Sequence, residues 1–114
     1  MTIKDISYVR GNTYALKMTI QGLEDITIDK VYLTVKENSN QDDPILQKSL
    51  DNGITPLEEQ YQYNIIIDPS DTEDMEVNCP YYYDITVIIG NIKKTIVKGS
   101  FTLEPNYTKA SNEV

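Results

Sequence analysis

Carboxylates crowd into one stretch of the sequence, from Asp68 to Glu76, which holds five acidic side chains. Carboxylate oxygens are the ligands that calcium prefers, but calcium loops of the EF-hand type place them at alternating positions around a glycine. This stretch has a different spacing and no glycine. Pro69 and Asp71 instead suit the start of a helix with Asp68 as its N-cap. We predict a helical turn here, with a weak surface calcium site as the alternative.

Two pairs of adjacent carboxylates, Asp42-Asp43 and Glu58-Glu59, are the remaining candidates for acid–base chemistry. Glycoside hydrolysis needs two carboxyl groups that are held apart across a pocket, one of them with a raised pKa. Adjacent carboxylates in polar loops are solvated charges and do not meet that requirement. We therefore predict that neither pair forms an active site.

The residue types of nucleophilic and metal-dependent catalysis are scarce in this chain. The sequence contains no histidine, which removes the commonest general base and the commonest metal ligand. Its single cysteine, Cys79, can form neither an intrachain disulfide nor a metal-binding cluster. We predict a protein that is not an enzyme and that has no catalytic residue, no cofactor and no metal site.

The aromatic residues are unusual, with nine tyrosines, one phenylalanine and no tryptophan. Tyrosine is enriched at protein interfaces, but it also closes the ends of cores with its ring inside and its hydroxyl in water. The alternation of the sequence favours this second role for five of them: Tyr14, Tyr61, Tyr63, Tyr81 and Tyr83. Tyr32 and Tyr82 fall on the outward sides of their strands, so we predict these two as partner-contact residues.

The overall charge excludes one class of partner. With 18 acidic and 10 basic residues the formal net charge is −8, which repels the phosphate backbone of nucleic acids. No apolar run approaches the roughly 18 residues of a membrane span, and the first residues lack the apolar core of a signal peptide. We expect no nucleic-acid partner, no membrane partner, and synthesis in a cytoplasm without a signal peptide.

The strongest structural signal is a β-hairpin between Pro80 and Leu103. Two runs rich in β-branched and aromatic residues are separated by Gly90-Asn91, two residues that tolerate a positive φ. One face of each run is apolar, which is typical of an antiparallel sheet that packs on one side. The inward residues predicted for the second run are Thr95, Val97, Phe101 and Leu103.

Five further runs have the alternation of short strands: Asp5–Arg10, Thr13–Ile20, Ile28–Glu37, Ile45–Leu50 and Tyr61–Ile67. Turn residues separate the runs at the spacing of an all-β domain, so the sequence predicts an immunoglobulin-like β-sandwich of about seven antiparallel strands. One short helical turn is predicted between strands five and six. We predict a single domain over 1–108 followed by a polar tail over 109–114, with Ile45–Leu50 near a sheet edge and Thr55–Gln60 as a connection.

The hairpin also places tyrosines where the immunoglobulin architecture has a tyrosine corner, at the start of the sixth strand. In that motif a tyrosine hydroxyl bonds to the backbone a few residues upstream. The paired cysteines and tryptophan of true immunoglobulin domains are absent. We therefore predict a chain that is immunoglobulin-like in its architecture only.

An ordered series of short motifs runs through these strands and turns. It comprises Arg10-Gly-Asn-Thr13, Tyr32-Leu-Thr-Val-Lys36, Ile45-Leu-Gln-Lys48, Ile67-Asp-Pro-Ser-Asp-Thr72, Tyr82-Tyr-Asp-Ile85, Gly99-Ser-Phe-Thr-Leu103 and Pro105. In order and spacing the series resembles the immunoglobulin-like N-terminal domain of baseplate upper proteins and related tail-fibre modules. Those proteins occur in phages and prophages of Gram-positive bacteria. The resemblance spans about Tyr8 to Thr108.

The resemblance implies a structural module that docks into a virion baseplate or tail tip. Other phage tail or baseplate proteins would be its partners, with self-association as an open alternative, and contacts would come from sheet faces, edges or the Glu37–Pro44 loop. A second function remains open: a carbohydrate-binding or adhesin-like domain that recognises a cell-surface glycan through Tyr32 and Tyr82. A glycan binder needs a concave aromatic platform, whereas an assembly module presents flat or edge surfaces.

Overall fold

A computed structural model describes residues 2–20, 27–37, 43–58 and 61–105 of the chain. These residues form nine strands and one short helix. The elements in chain order are β1 (Thr2–Ile3), β2 (Ile6–Val9), β3 (Tyr14–Thr19), β4 (Lys30–Lys36), β5 (Leu46–Leu50), β6 (Gly53–Pro56), β7 (Gln62–Ile67), α1 (Pro69–Thr72), β8 (Tyr81–Ile89) and β9 (Ile92–Glu104). No helix in this part of the chain is long and apolar enough to cross a membrane. The predicted tail over 109–114 lies outside the described residues.

The strands pair in the order β1-β9-β8-β4-β5-β6-β7-β3, and β2 also pairs with β9. Each of the seven predicted strands overlaps an observed one, but the described residues contain nine strands, because β1 and β6 are additional. Three pairings are parallel, namely β1–β9, β2–β9 and β5–β6, so the prediction of purely antiparallel strands was wrong. Both additional strands are short, β1 is exposed and β6 buries only Ile54, which leaves no alternating apolar pattern to predict them.

The fourth predicted strand, now β5, differs from its expected place near a sheet edge. It lies between β4 and β6 in the strand order. Its pairing with β6 covers only two residue pairs, Ser49↔Gly53 and Leu50↔Ile54, whereas four pairs join it to β4. The chain turns sharply after Leu50, and β6 occupies the first part of the segment that was predicted as a connection.

The predicted hairpin is confirmed by β8 and β9. Ile89 pairs with Ile92, so that Gly90 and Asn91 alone form the turn, and Gly90 adopts a φ of 57°. This conformation is easily accessible to glycine because it lacks a Cβ atom. The Gly90 amide also donates a hydrogen bond of 2.7 Å to Oδ2 of Asp29, which ties the hairpin tip to the residue before β4.

A β-bulge corrects one predicted side-chain direction in this hairpin. The register shifts between Ile85 and Thr86 of β8, where Val97 and Thr95 of β9 are their respective partners. Ile96 is therefore the extra residue, and the alternation of β9 changes sides at this point. Thr95 was predicted inward with Val97, but its hydroxyl lies 3.1 Å from that of Thr86 on the outward side of the sheet.

The sheet curls around one apolar core, to which every strand except β1 contributes a buried or partly buried side chain. Tyr8 on β2 and Tyr14 on β3 belong to opposite ends of the strand order, yet their rings stack with centroids 4.6 Å apart. Phe101 packs edge-on against Tyr8 at 5.7 Å. Burial raises the pKa of Tyr8 to about 12, and its hydroxyl lies beside Thr72.

The predicted helical turn is α1, and its N-terminus is organised as expected. Oδ2 of Asp71 accepts a hydrogen bond of 2.7 Å from the amide of Asp68, one residue before the helix. The same oxygen lies 2.7 Å from Nζ of Lys48 on β5. The Lys48 side chain is 9% exposed and that of Asp71 is 20% exposed. Asp71 therefore fixes the helix start and also neutralises a buried cation.

The predicted tyrosine corner is confirmed at Tyr81. Its hydroxyl accepts a hydrogen bond of 2.9 Å from the amide of Glu76, five residues upstream. The ring of Tyr81 is buried at the start of β8, so the bond holds the chain between α1 and β8 against the core. A second bond reinforces this corner, since Arg10 donates from its guanidinium to the carbonyl of Met75 at 2.9 Å.

Candidate functional site

One side of the β9-β8-β4-β5 part of the sheet turns away from the core, and we call it the outer face. Cross-strand pairing arranges its side chains in four rows. They are Lys36-Tyr82-Ser100, Gln47-Thr34-Asp84-Lys98, Ser49-Tyr32-Thr86-Thr95 and Lys30-Ile88-Lys93. Alternation on β4 and β8 produces this face, because every second side chain of each strand points into the core.

Both predicted contact residues lie on the outer face. Tyr82 is 54% exposed, and among the described tyrosines it alone belongs to the exposed class. Tyr32 is half-buried in a different row, where Thr86 of β8 and Ser49 of β5 flank it. The structure thus places both tyrosines on one surface but does not bring them into direct cross-strand contact. Their role in binding remains a prediction.

Hydrogen bonds hold the centre of the outer face. The hydroxyl of Thr86 donates to Oδ1 of Asp84 at 3.0 Å. The hydroxyl of Thr95 lies 3.1 Å from the hydroxyl of Thr86. Between β5 and β4, the side-chain amide of Gln47 donates from Nε2 to the hydroxyl of Thr34 at 3.1 Å. Cross-strand pairs of this kind fix side-chain positions on a sheet surface. The middle of the face is therefore polar and ordered.

The charge of the outer face is opposite to that of the whole protein. Its rows contain four lysines and one aspartate, a local charge of +3. Since the chain carries −8, the remaining residues carry −11. The lysines lie at the two ends of the face, Lys36 and Lys98 towards Tyr82, and Lys30 and Lys93 towards the hairpin tip.

Two further carboxylates reach β9 and the hairpin turn but lie outside the rows. Oδ1 of Asp5 accepts a hydrogen bond of 3.0 Å from the amide of Ser100, and this bond lowers the pKa of Asp5. Asp29 accepts from the amide of Gly90 at the turn. Both carboxylates therefore interact with backbone amides at the ends of the face.

Two adjoining depressions lie on the outer face. The first has a volume of about 350 Å³ and is lined by Tyr82 together with Lys36, Asp84 and Lys98. The second, of about 370 Å³, is lined by Tyr32 with Lys93 and Gln47. The two depressions adjoin, because Thr34, Lys36, Asp84 and Thr95 line both of them, but neither depression is lined by both predicted tyrosines.

Two of the acidic candidates for chemistry have structural roles. Asp68 and Asp71 form the start of α1, and Asp71 also pairs with Lys48. Among the described residues no group of three or more cysteine, aspartate or glutamate side chains is arranged to hold a metal ion. Each predicted carboxylate pair has one member, Asp42 or Glu59, outside those residues.

The sequence predicted the two tyrosines of the outer face as contact residues, but it did not predict any of the lysines as such. Lys36 lies far from Lys93 and Lys98 in the sequence. These lysines come together on one face of the sheet because β4 and β9 flank β8. The same alternation that placed Tyr32 outward also places Lys36 outward. Alternation also predicted Lys98 of β9 outward, which is confirmed, whereas beyond the bulge it predicted Lys94 outward although Lys93 takes that place.

Comparison with known proteins supports the fold. No protein-family profile and no curated protein matches the sequence. Among solved structures, the extracellular domain of the voltage-gated sodium channel beta4 subunit is similar with a TM-score of 0.55 and 12% sequence identity. The match covers 93% of this chain and 94% of that domain, which forms parallel homodimers with a role in cell–cell adhesion. The likeness shows that this chain has an immunoglobulin-like fold.

Proposed function

We propose that this chain is a non-enzymatic protein–protein contact module and that the outer face is its contact surface. The exposure of Tyr82 is the observation that carries the proposal. A tyrosine supplies a large contact area at a low cost in side-chain entropy, which is why tyrosines anchor many interfaces. The adhesion and homodimer role of the structurally similar domain is consistent with a contact function for this fold.

The finer assignment is an assembly module of a phage or prophage tail or baseplate. It rests on the ordered motif series and its resemblance to baseplate upper proteins. In this proposal the chain is made in a bacterial cytoplasm, becomes part of a virion and folds as a two-layer sandwich. The strands β6, β7 and β3 form the layer that supports β9, β8, β4 and β5 from behind, which leaves the outer face free for a neighbouring tail protein.

Recognition of a glycan is the second candidate function, and the geometry favours it less. Carbohydrate binding would use Tyr32 and Tyr82 as a joint platform. These residues lie in different rows, and neither of the two adjoining depressions is lined by both of them. The two depressions share four lining residues and form one continuous surface lined mainly by polar residues, which suits contact with a protein better than stacking of a sugar on a joint aromatic platform.

The proposal predicts that Tyr82→Ser weakens partner binding at least about tenfold, because truncating an anchor residue costs 2 kcal/mol or more. The experiment is a capture assay with the full chain as bait and the purified products of its flanking genes as prey. Ile92→Ser is the matched control, since Ile92 is 62% exposed but pairs with Ile89, which packs against the core, so its side chain lies on the side of the sheet opposite the outer face.

Flanking genes that encode tail or baseplate proteins, and capture of one of them by the wild-type chain, would support the finer assignment. Flanking genes for sugar metabolism or cell-surface proteins would contradict it. Equal capture by the Tyr82→Ser and wild-type baits would contradict the use of the outer face.

A further inference from the structure

The outer face combines an exposed aromatic ring with a positive charge on a strongly acidic protein. Exposed residues at this face include Lys93, Lys98 and Tyr82, and Lys36 is half-buried beside Tyr82. At physiological ionic strength, charges more than about 8 Å apart are largely screened in solution. A partner that touches the face therefore meets four lysines and Asp84, with Asp5 and Asp29 at the ends of the face, a sum of +1, and experiences this charge more than the −9 carried elsewhere.

The charge pattern also restricts how two copies could meet. If two copies packed outer face to outer face, each set of four lysines would approach the other set. Like charges across an interface are unfavourable and are a common means of rejecting a wrong partner. A symmetric dimer through this face is therefore disfavoured, even though the structurally similar domain forms homodimers.

We infer that the outer face binds an acidic segment of a partner protein, with carboxylates at the lysines and an apolar contact at Tyr82. This inference rests on the proposed contact function and specifies the chemistry of the partner. The depression between Lys36, Tyr82 and Lys98 is the centre of the site. Asp84 also lines this depression, where it accepts the hydrogen bond of Thr86 and pairs across the strands with Lys98.

A peptide titration tests this inference directly. The probe is a fluorescein-labelled peptide of about ten glutamates with one central tyrosine, titrated with the full chain at about 0.15 M salt, where remote charges are screened. The test variant is Lys93→Glu combined with Lys98→Glu. We expect its affinity for the peptide to fall at least about tenfold relative to the wild type.

The matched control is Lys17→Glu combined with Lys94→Glu, which changes the net charge of the protein by the same amount. Lys17 lies on β3, and Lys94 pairs with the inward residue Val87, so neither belongs to the outer face. All four lysines are exposed, so both double variants should fold, and circular dichroism verifies this. We expect the control to change the affinity less than about twofold, because its new charges lie outside the site.

Each other outcome overturns the inference. These outcomes are no binding of the peptide to the wild type, equal losses in the two double variants, or binding of a neutral oligosaccharide in place of the peptide. Failure of the inference can be told apart from failure of the proposed function. If Tyr82→Ser weakens capture of the protein partner while the lysine variants do not, the contact function stands and the acidic partner does not.

Discussion

Gly99→Ala is expected to lower the free energy of unfolding by about 3 kcal/mol, as overpacking against a rigid neighbour does. A Cβ atom at Gly99 would lie 2.1 Å from the carbonyl oxygen of Lys4 and 2.7 Å from its carbonyl carbon. These are backbone atoms, which cannot rotate away as a side chain could. The segment between β1 and β2 would therefore have to leave β9.

The hydrogen bonds that Gly99→Ala would break show which amides to follow. Lys4 donates from its amide to the carbonyl of Lys98 at 3.0 Å and accepts the hydroxyl of Tyr83 at its carbonyl. Chemical denaturation measures the stability, and hydrogen exchange at the amides of Lys4 and Ser100 shows whether the segment has detached. Ser100→Ala is the control and should stay within about 0.5 kcal/mol of the wild type, as surface substitutions do. Equal stability of Gly99→Ala and Ser100→Ala would disprove the close packing.

Asp71→Asn is expected to cost about 3–5 kcal/mol, because it leaves the buried ammonium group of Lys48 without its counter-ion. The asparagine keeps a side-chain oxygen that can still accept the amide of Asp68, so the substitution tests mainly the charge. Combining it with Lys48→Met removes the stranded cation. We expect the double variant to be more stable than Asp71→Asn alone, with a coupling free energy of about 2 kcal/mol.

Urea unfolding of the wild type, the two single variants and the double variant measures this coupling. Glu73→Gln is the control, since Glu73 is an exposed carboxylate at the end of the same helical turn. Additive effects of the two substitutions would show that the ion pair contributes no net interaction. The 2.7 Å contact between Lys48 and Asp71 would then be incidental to stability.

The local signals of the sequence predicted the hairpin and the corner well. Gly90-Asn91 between two alternating runs allows little besides a two-residue turn, and Tyr81 follows the helical turn at the distance of a tyrosine corner. The start of α1 was predictable for the same reason, because Asp68, Pro69 and Asp71 interact with their immediate neighbours. Each of these features depends on residues close together in the chain.

Features that depend on distant residues could not be predicted in this way. The parallel pairing of β1 and β2 with β9 joins positions about 95 residues apart, and close approach at Gly99 allows it. The bulge in β9 was hidden because Lys93, Lys94 and Thr95 are all polar, so either alternation fits that run. The lysines of the outer face lie on β4 and β9, which are distant in the sequence, so their grouping could be recognised only once the strand order was known.

The central claim is that partner proteins bind through the outer face. Tyr82 offers a direct probe, because it is 54% exposed whereas the other described tyrosines are less accessible. Nitration of exposed tyrosine rings, located by peptide mass spectrometry, can be compared between the free chain and its complex with a captured tail protein. We expect complex formation to slow the nitration of Tyr82 strongly. An unchanged nitration rate at Tyr82 in a fully formed complex would contradict it.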